Sequence, residues 1–500
     1  MRILWISNML LPEAAYHLGV TTGVSGSWMF DLANKLSNTD NIELIITCVY
    51  GNEYKEAVVD KITYILLPGN GKNMLFYTKK YENYWRKINE KYKPDLVHLH
   101  GTEYSHGLSF LRALPEVPAL LSIQGVIGKI GEHMNDELSV FDLLKHRSIK
   151  DCLKLNGLIE KKILFKKNSR YEKEIIQRVK YATGRTDWDK FYLQTVNKNL
   201  KYYRCNYNVR DEFYNAQKWD IEKIERHTIY GTTSAQTPLK GGHILLKALA
   251  IVKEKYPDVK LRFLMPGFKN GEFTKKTEYN RLILRLIKDN TLEKNVEFIP
   301  SQDAEGVITY MNKSHITVIP SAMENASATL RESMHLGVPS IASFRGGMTH
   351  LIKDGVDGFF FDYSEYEYLA GRIIQIFEDD ELAIKLSENA IKAAEVWHDR
   401  EKNPKDFVKM YEDIIKREDA GNIIINIIGE EIVREDLNNE CKIEDVIKSR
   451  NLDEIIKSHT TQQSTEIDHD KIIDELYARY KIDKNVDDLN ELLEKLNNYR

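Results

Sequence analysis

An α/β architecture of two doubly wound parallel-sheet (Rossmann-like) domains facing a cleft, with a small helical C-terminal appendage, is what this sequence predicts. Three observations carry the prediction. The 500 residues exceed what one hydrophobic core usually holds. Short continuous apolar runs alternate with helical patterns, the signature of a parallel sheet covered on both faces. That alternation then starts again past the middle of the chain.

In the first half, residues 3–6 read as a strand and 27–36 as a helix, with Trp28, Leu32 and Leu36 on one stripe. Strand-like runs follow at 43–49, 62–67, 95–100 and 119–124, with a helical stretch at 75–92. The second half repeats the scheme, with runs at 227–230, 260–265, 296–299, 315–320, 340–344 and 358–361. Domains are expected at 1–220 and 221–418, the boundary falling between about Tyr214 and Arg226, with an acidic, mostly helical tail at 419–500. In such folds ligands sit at the carboxyl ends of the strands, in the cleft.

Composition narrows the class. A hydrophobic fraction of 42% and a charged fraction of 29% are ordinary for a soluble globular protein. Cys48, Cys152, Cys205 and Cys441 are scattered and form no CxxC pair, which speaks against a zinc site and suits a reducing cytosol. The opening Met-Arg-Ile-Leu-Trp-Ile-Ser reads as a buried strand rather than a signal peptide. No apolar run reaches the roughly 18 residues of a membrane span. A cytoplasmic location is therefore expected, with no nucleic-acid partner.

Charge is unevenly spread. From Asp419 onward, 11 Lys and Arg stand against 20 acidic residues, so the body before it is mildly basic and suits an anionic donor or surface. Segments 470–482 and 487–498 read as two short amphipathic helices carrying leucines, a basis for self-association through the tail. Residues 145–180 hold twelve Lys and Arg against four acidic residues, interleaved with apolar side chains. Such an element either rests peripherally on anionic lipid or packs as an ordinary helix pair on the sheet.

The densest chemistry lies at residues 320–358, PSAMENASATLRESMHLGVPSIASFRGGMTHLIKDGVDG. A strand ends at Pro320 and Glu324 sits in a short loop. Asn325 or Ser327 caps a helix running to His335, and Gly337 suits its C′ position. Gly346 and Gly347 permit a tight turn. A helix N-terminus aimed into a cleft binds phosphate through its free N–H groups and its dipole. Glu324 in the loop and Glu332 two turns later lie in different places, so one carboxylate can hold a ribose and the other a hexose.

This run resembles the donor-site signature of the retaining family 4 glycosyltransferases of the GT-B fold. Glu324, Glu332, Gly337, Pro339, Gly346 and Gly347 match it in order. Lys240, before Gly241 and an apolar helix, stands where that family keeps its diphosphate-binding lysine. Gly23 matches the first of the family's paired glycines. His98 and His100 fall in a segment similar to its fourth strand, and 182–189 resembles its strand-to-helix turn.

The resemblance implies metal-independent transfer of a hexose, with retention, from a nucleoside diphosphate sugar (UDP-linked) to a glycan or lipid-linked acceptor, with no cofactor. It makes Glu324 and Lys240 catalytic. It assigns donor binding to Glu332, Gly23, Thr233, Ser234, Asn325, Ala326, Ser327, Ala328 and Thr329, and the acceptor side to Gln124 and His100. The first domain is then the acceptor side and the second the donor side.

Three departures bear on that reading. Asn325 and Ala326 stand where the family has glycine and an aromatic residue. Gln124, which hydrogen-bonds but does not titrate, replaces a histidine facing the reacting sugar. The arginine usual before the lysine is missing, Gly231-Thr-Thr-Ser-Ala-Gln offering only hydroxyls and an amide. A sugar-nucleotide epimerase or hydrolase, and a non-catalytic partner subunit, are the competing readings. Asp187-Trp-Asp189 has the spacing of a metal-binding pair, but opening a helix it reads as a cap.

Overall fold

The structure, a computed structural model, describes residues 1–20, 27–70, 75–148, 157–232, 237–269, 272–274 and 277–436, with backbone alone at 27–28 and 420–436. It separates into two compact units, Met1–Val408 and Lys409–Arg500. Both large sheets lie in the first unit.

The strands in chain order are β1 (Arg2–Ser7), β2 (Glu43–Val49), β3 (Lys55–Val59), β4 (Ile62–Leu67), β5 (Leu96–His100), β6 (Ala119–Ser122), β7 (Tyr181–Gly184) and β8 (Lys201–Arg204). They form one sheet in the order β3-β4-β2-β1-β5-β6-β7-β8, parallel except for the antiparallel edge strand β3. Ile3 pairs with Leu44 on one side and Leu96 on the other. Ile3, Leu4 and Trp5 are fully buried, as a strand covered on both faces requires.

The second sheet uses β9 (Thr228–Thr232), β10 (Lys260–Leu264), β13 (Val296–Ile299), β14 (Ile316–Ile319), β15 (Ser340–Ser343) and β16 (Phe359–Phe361). β11 (Phe268–Lys269) and β12 (Glu272–Phe273) make a separate small hairpin. All six strands of the sheet are parallel, in the order β13-β10-β9-β14-β15-β16. Chain progression reverses between β1 and β5 in the first sheet and between β9 and β14 in the second. Those two switch points are where a doubly wound sheet opens a crevice for ligand.

The C-terminal part of the described chain is one helix, Lys402–Asp436, which runs on past Asp419, where the acidic tail was expected to start. The two amphipathic segments at 470–482 and 487–498 lie outside the described residues. Among the described residues, no helix is long and apolar enough to cross a membrane.

Candidate active site at the second switch point

The loops leaving β9 and β14 meet. After β9 the chain makes a 3-10 turn, Pro238–Lys240, closed by Gly241 at φ +67°. A β-carbon on Gly241 would lie 1.5 Å from the Pro320 carbonyl oxygen, so no other residue lets the turn rest on the end of β14. The Ala322 amide donates to the Leu239 carbonyl at 2.8 Å and fastens the two loops together. This packing brings Lys240 and Glu324, 84 residues apart, into an ion pair. Ser321 Oγ donates to the same Glu324 oxygen at 3.1 Å.

Next comes the helix Ala328–Leu336, capped by Ser327 through the Leu330 amide and closed by Gly337 at φ +84°. Its first amides, those of Ala328 and Thr329, precede the intrahelical ladder and are free to meet an anion. Ala328 is exposed, Thr329 half-buried and Ser327 buried. The paired glycines have a steric purpose. A β-carbon on Gly346 would lie 2.2 Å from the Glu324 carbonyl oxygen, and one on Gly347 would lie 1.9 Å from that of Asn325. The Gly347 amide donates to the Glu324 carbonyl at 2.9 Å. Together they let the turn after β15 press the Glu324 loop into place.

Glu332 lies about one turn into the helix. Arg210 grips it in a fork, Nε at 2.8 Å and Nη2 at 3.1 Å from its two oxygens. Arg331, beside it, is buried, and burial with the neighbouring Arg185 pushes its guanidinium pKa down to about 9. Cations thus surround this carboxylate although the usual arginine is missing from the β9 loop. Asn325 reaches the first sheet: its Oδ1 accepts from Thr186 Oγ1 at 3.0 Å, and its Nδ2 donates to the Ile123 carbonyl at 3.4 Å. Ala326 is half-buried beside it.

Residues 214–393, which contain Lys240, Glu324, Glu332 and the helix Ala328–Leu336, match the family model described as glycosyl transferases group 1. Residues 214–393 form a group 1 glycosyltransferase domain. A D-inositol 3-phosphate glycosyltransferase of Corynebacterium urealyticum is 27% identical over 173 residues, which are 35% of this chain and 40% of that protein. The chain therefore aligns with about two fifths of this curated relative's length.

Among solved structures, sucrose-phosphate synthase from Thermosynechococcus elongatus superposes with a TM-score of 0.63 at 16% identity, over 83% of this chain and 99% of that one. Anabaena HepE in complex with UDP-glucose gives 0.58 at 16% identity, over 83% of this chain and 100% of that one. These likenesses give the fold as GT-B.

Opposite the group 1 domain stand the strand ends of the first sheet. Gln124 follows β6, half-buried beside the Tyr207 hydroxyl, which is hydrogen-bonded to Ser122 at 3.0 Å. His100 is buried in the sheet, its ring 4.4 Å from that of Trp5 and 3.9 Å from that of His98. Burial pushes its pKa down to about 3, so it is neutral there. Gly23, Thr233 and Ser234 lie outside the described residues.

No motif pointed to Glu103, yet it stands at the first switch point, in the loop after β5. Asn8 Nδ2, from the loop after β1, donates to it. Desolvation, with Glu172 close by, raises its pKa to about 7. Glu172 itself is committed to structure, accepting from the Ile127 and Gly128 amides at 2.6 and 3.1 Å at the start of the helix Ile127–His133.

The Asp187-Trp-Asp189 pair resolves as a helix start. Thr186 is the N-cap of Asp187–Val196 and forms a capping box with Asp189. Asp189 is fully buried and accepts from the Arg185 and Thr186 amides and from Tyr202 OH, the last at 2.6 Å. Among the described residues, no three His, Cys, Asp or Glu side chains gather as metal ligands. Asp189→Ala is expected to lower stability by about 1–2 kcal/mol, the usual cost of losing a cap. Chemical denaturation measures this, and an unchanged midpoint would remove the capping role.

Proposed function

We propose that this chain transfers a hexose from a nucleoside diphosphate sugar, UDP-linked, to a hydroxyl of a glycan or lipid-linked acceptor, with retention. The observation that carries the reading is the meeting of Lys240, Glu324 and the N-terminus of Ala328–Leu336 at the second switch point, inside the matched segment. The Anabaena structure of the same fold, solved with UDP-glucose, supports a uridine donor.

In this reading the bond between the sugar's anomeric carbon and the diphosphate breaks, and the acceptor oxygen bonds to that carbon on the same face. The acceptor proton leaves with the diphosphate. Lys240 and the Ala328 and Thr329 amides meet the charge that grows on the leaving group, the largest catalytic lever at such a site. Without donor, the Lys240 ammonium is neutralised by Glu324; with donor, it turns to phosphate and Glu324 to the sugar hydroxyls. Glu332 accepts from the ribose, and Gly23, Thr233 and Ser234 complete the donor side. Gln124 faces the acceptor side, whereas the interior placement of His100 suits packing.

The same reading puts acceptor contacts in 1–220 and donor contacts, Gly23 apart, in 221–418. It places the chain in the cytoplasm, peripheral to an anionic membrane, self-associating through the tail. UDP release from UDP-glucose, with and without an oligosaccharide acceptor, tests it. Acceptor-dependent release is expected. Release that ignores the acceptor would make the chain a hydrolase, and donor binding without release would make it a non-catalytic subunit.

A further inference from the structure

The described surface carries one group of large apolar side chains that its own short helix turns outward. On Val140–Lys145, Leu143 packs inward while Val140, Phe141 and Leu144 are 62%, 73% and 50% exposed. Three exposed apolar side chains within five residues are not the scattered surface hydrophobes expected of any protein. This helix touches the long helix Leu158–Arg178.

On the long helix, the stretch from Lys161 to Lys173 carries six Lys and Arg, and its only acid, Glu172, is fully buried. None of the six forms an ion pair among the described residues, and Ile163 between them is 62% exposed. Leu158 is buried. The helix Leu158–Arg178 is therefore basic outward and apolar mostly inward, and the exposed apolar group comes from the helix before it. Val140–Lys145 carries a single acid, Asp142, held in the capping box with Ser139.

We propose that Val140, Phe141 and Leu144 insert among the acyl chains of an anionic membrane while the Lys161–Lys173 face binds its headgroups. The proposal gives residues to the peripheral membrane contact of the reading above and does not depend on the donor assignment. Charge selects the occupant: a row of unpaired cations beside an apolar tip is what an interfacial anchor presents to anionic lipid. A protein partner would need about 800 Å² of matched surface on each side, far more than one two-turn helix offers. A lipid surface needs no matching shape.

Co-sedimentation of the full chain with vesicles tests this, using phosphatidylcholine alone and phosphatidylcholine with phosphatidylglycerol. Binding to the phosphatidylglycerol vesicles alone is expected, weakened by high salt. The triple variant Val140→Ser, Phe141→Ser, Leu144→Ser and the pair Lys166→Glu, Lys167→Glu should each lose on the order of tenfold in vesicle affinity. Both should keep the wild-type melting temperature and oligomeric mass. No binding by the wild type, equal binding to both vesicles, or binding unchanged in either variant would overturn the proposal. So would a change of oligomeric mass in the triple variant, which would make a second copy the occupant.

Discussion

Lys240→Ala is expected to lower turnover by about 10²–10³-fold, the usual cost of removing one group that meets developing charge. The substitution leaves the turn standing, because Gly241 against Pro320 and the Ala322–Leu239 hydrogen bond hold it through backbone atoms. What disappears is the ammonium, and with it the counter-charge of Glu324. The accompanying loss of affinity should be larger for UDP-glucose than for uridine, because the charge acts on phosphate. Calorimetry with both ligands measures the difference. Equal losses would mean that Lys240 shapes the loop and does not touch phosphate.

Glu332→Ala should weaken UDP binding by about 1.5–3 kcal/mol, the range for hydrogen bonds to a charged group. The Arg210 fork complicates this variant, since removing the carboxylate also frees a guanidinium that is only partly solvated. Arg210→Ala separates the two effects: it keeps the carboxylate and should cost UDP affinity much less than Glu332→Ala. If both variants lose the same affinity, the carboxylate serves only the salt bridge and the ribose assignment fails.

The second sheet was legible because a parallel strand buried on both faces is written as a mostly apolar run, as in Ile316–Ile319 and Phe359–Phe361. β3 was not, because Lys55–Val59 alternates half-buried and exposed positions on an antiparallel edge. β8 was missed for a related reason: its four residues, Lys-Tyr-Tyr-Arg, are half-buried to exposed and present no apolar run.

At the site, residues close in sequence were readable and distant partners were not. Ser327 as a cap and Gly337 as a C′ residue follow from local backbone rules. Gly346 and Gly347 read as a turn, but their contact with the Glu324 and Asn325 carbonyls exists only once β14 and β15 lie side by side. Arg210 grips Glu332 from 122 residues away and Ile123 meets Asn325 across 202. No spacing rule reaches that far. Glu103 belongs to no motif; its significance comes from the desolvation that the switch point imposes.

The central claim is that the second switch point binds a nucleoside diphosphate sugar. A thermal-shift titration of the full chain with UDP-glucose, repeated on Lys240→Ala and Glu332→Ala, tests it most directly. Binding to the native state at about a hundred times the Kd adds roughly 2.7 kcal/mol, so the wild-type Tm should rise clearly with ligand. At the same ligand concentrations both variants should show a clearly smaller rise. No shift for the wild type with any nucleoside diphosphate sugar, or an equal shift in all three proteins, would contradict the assignment.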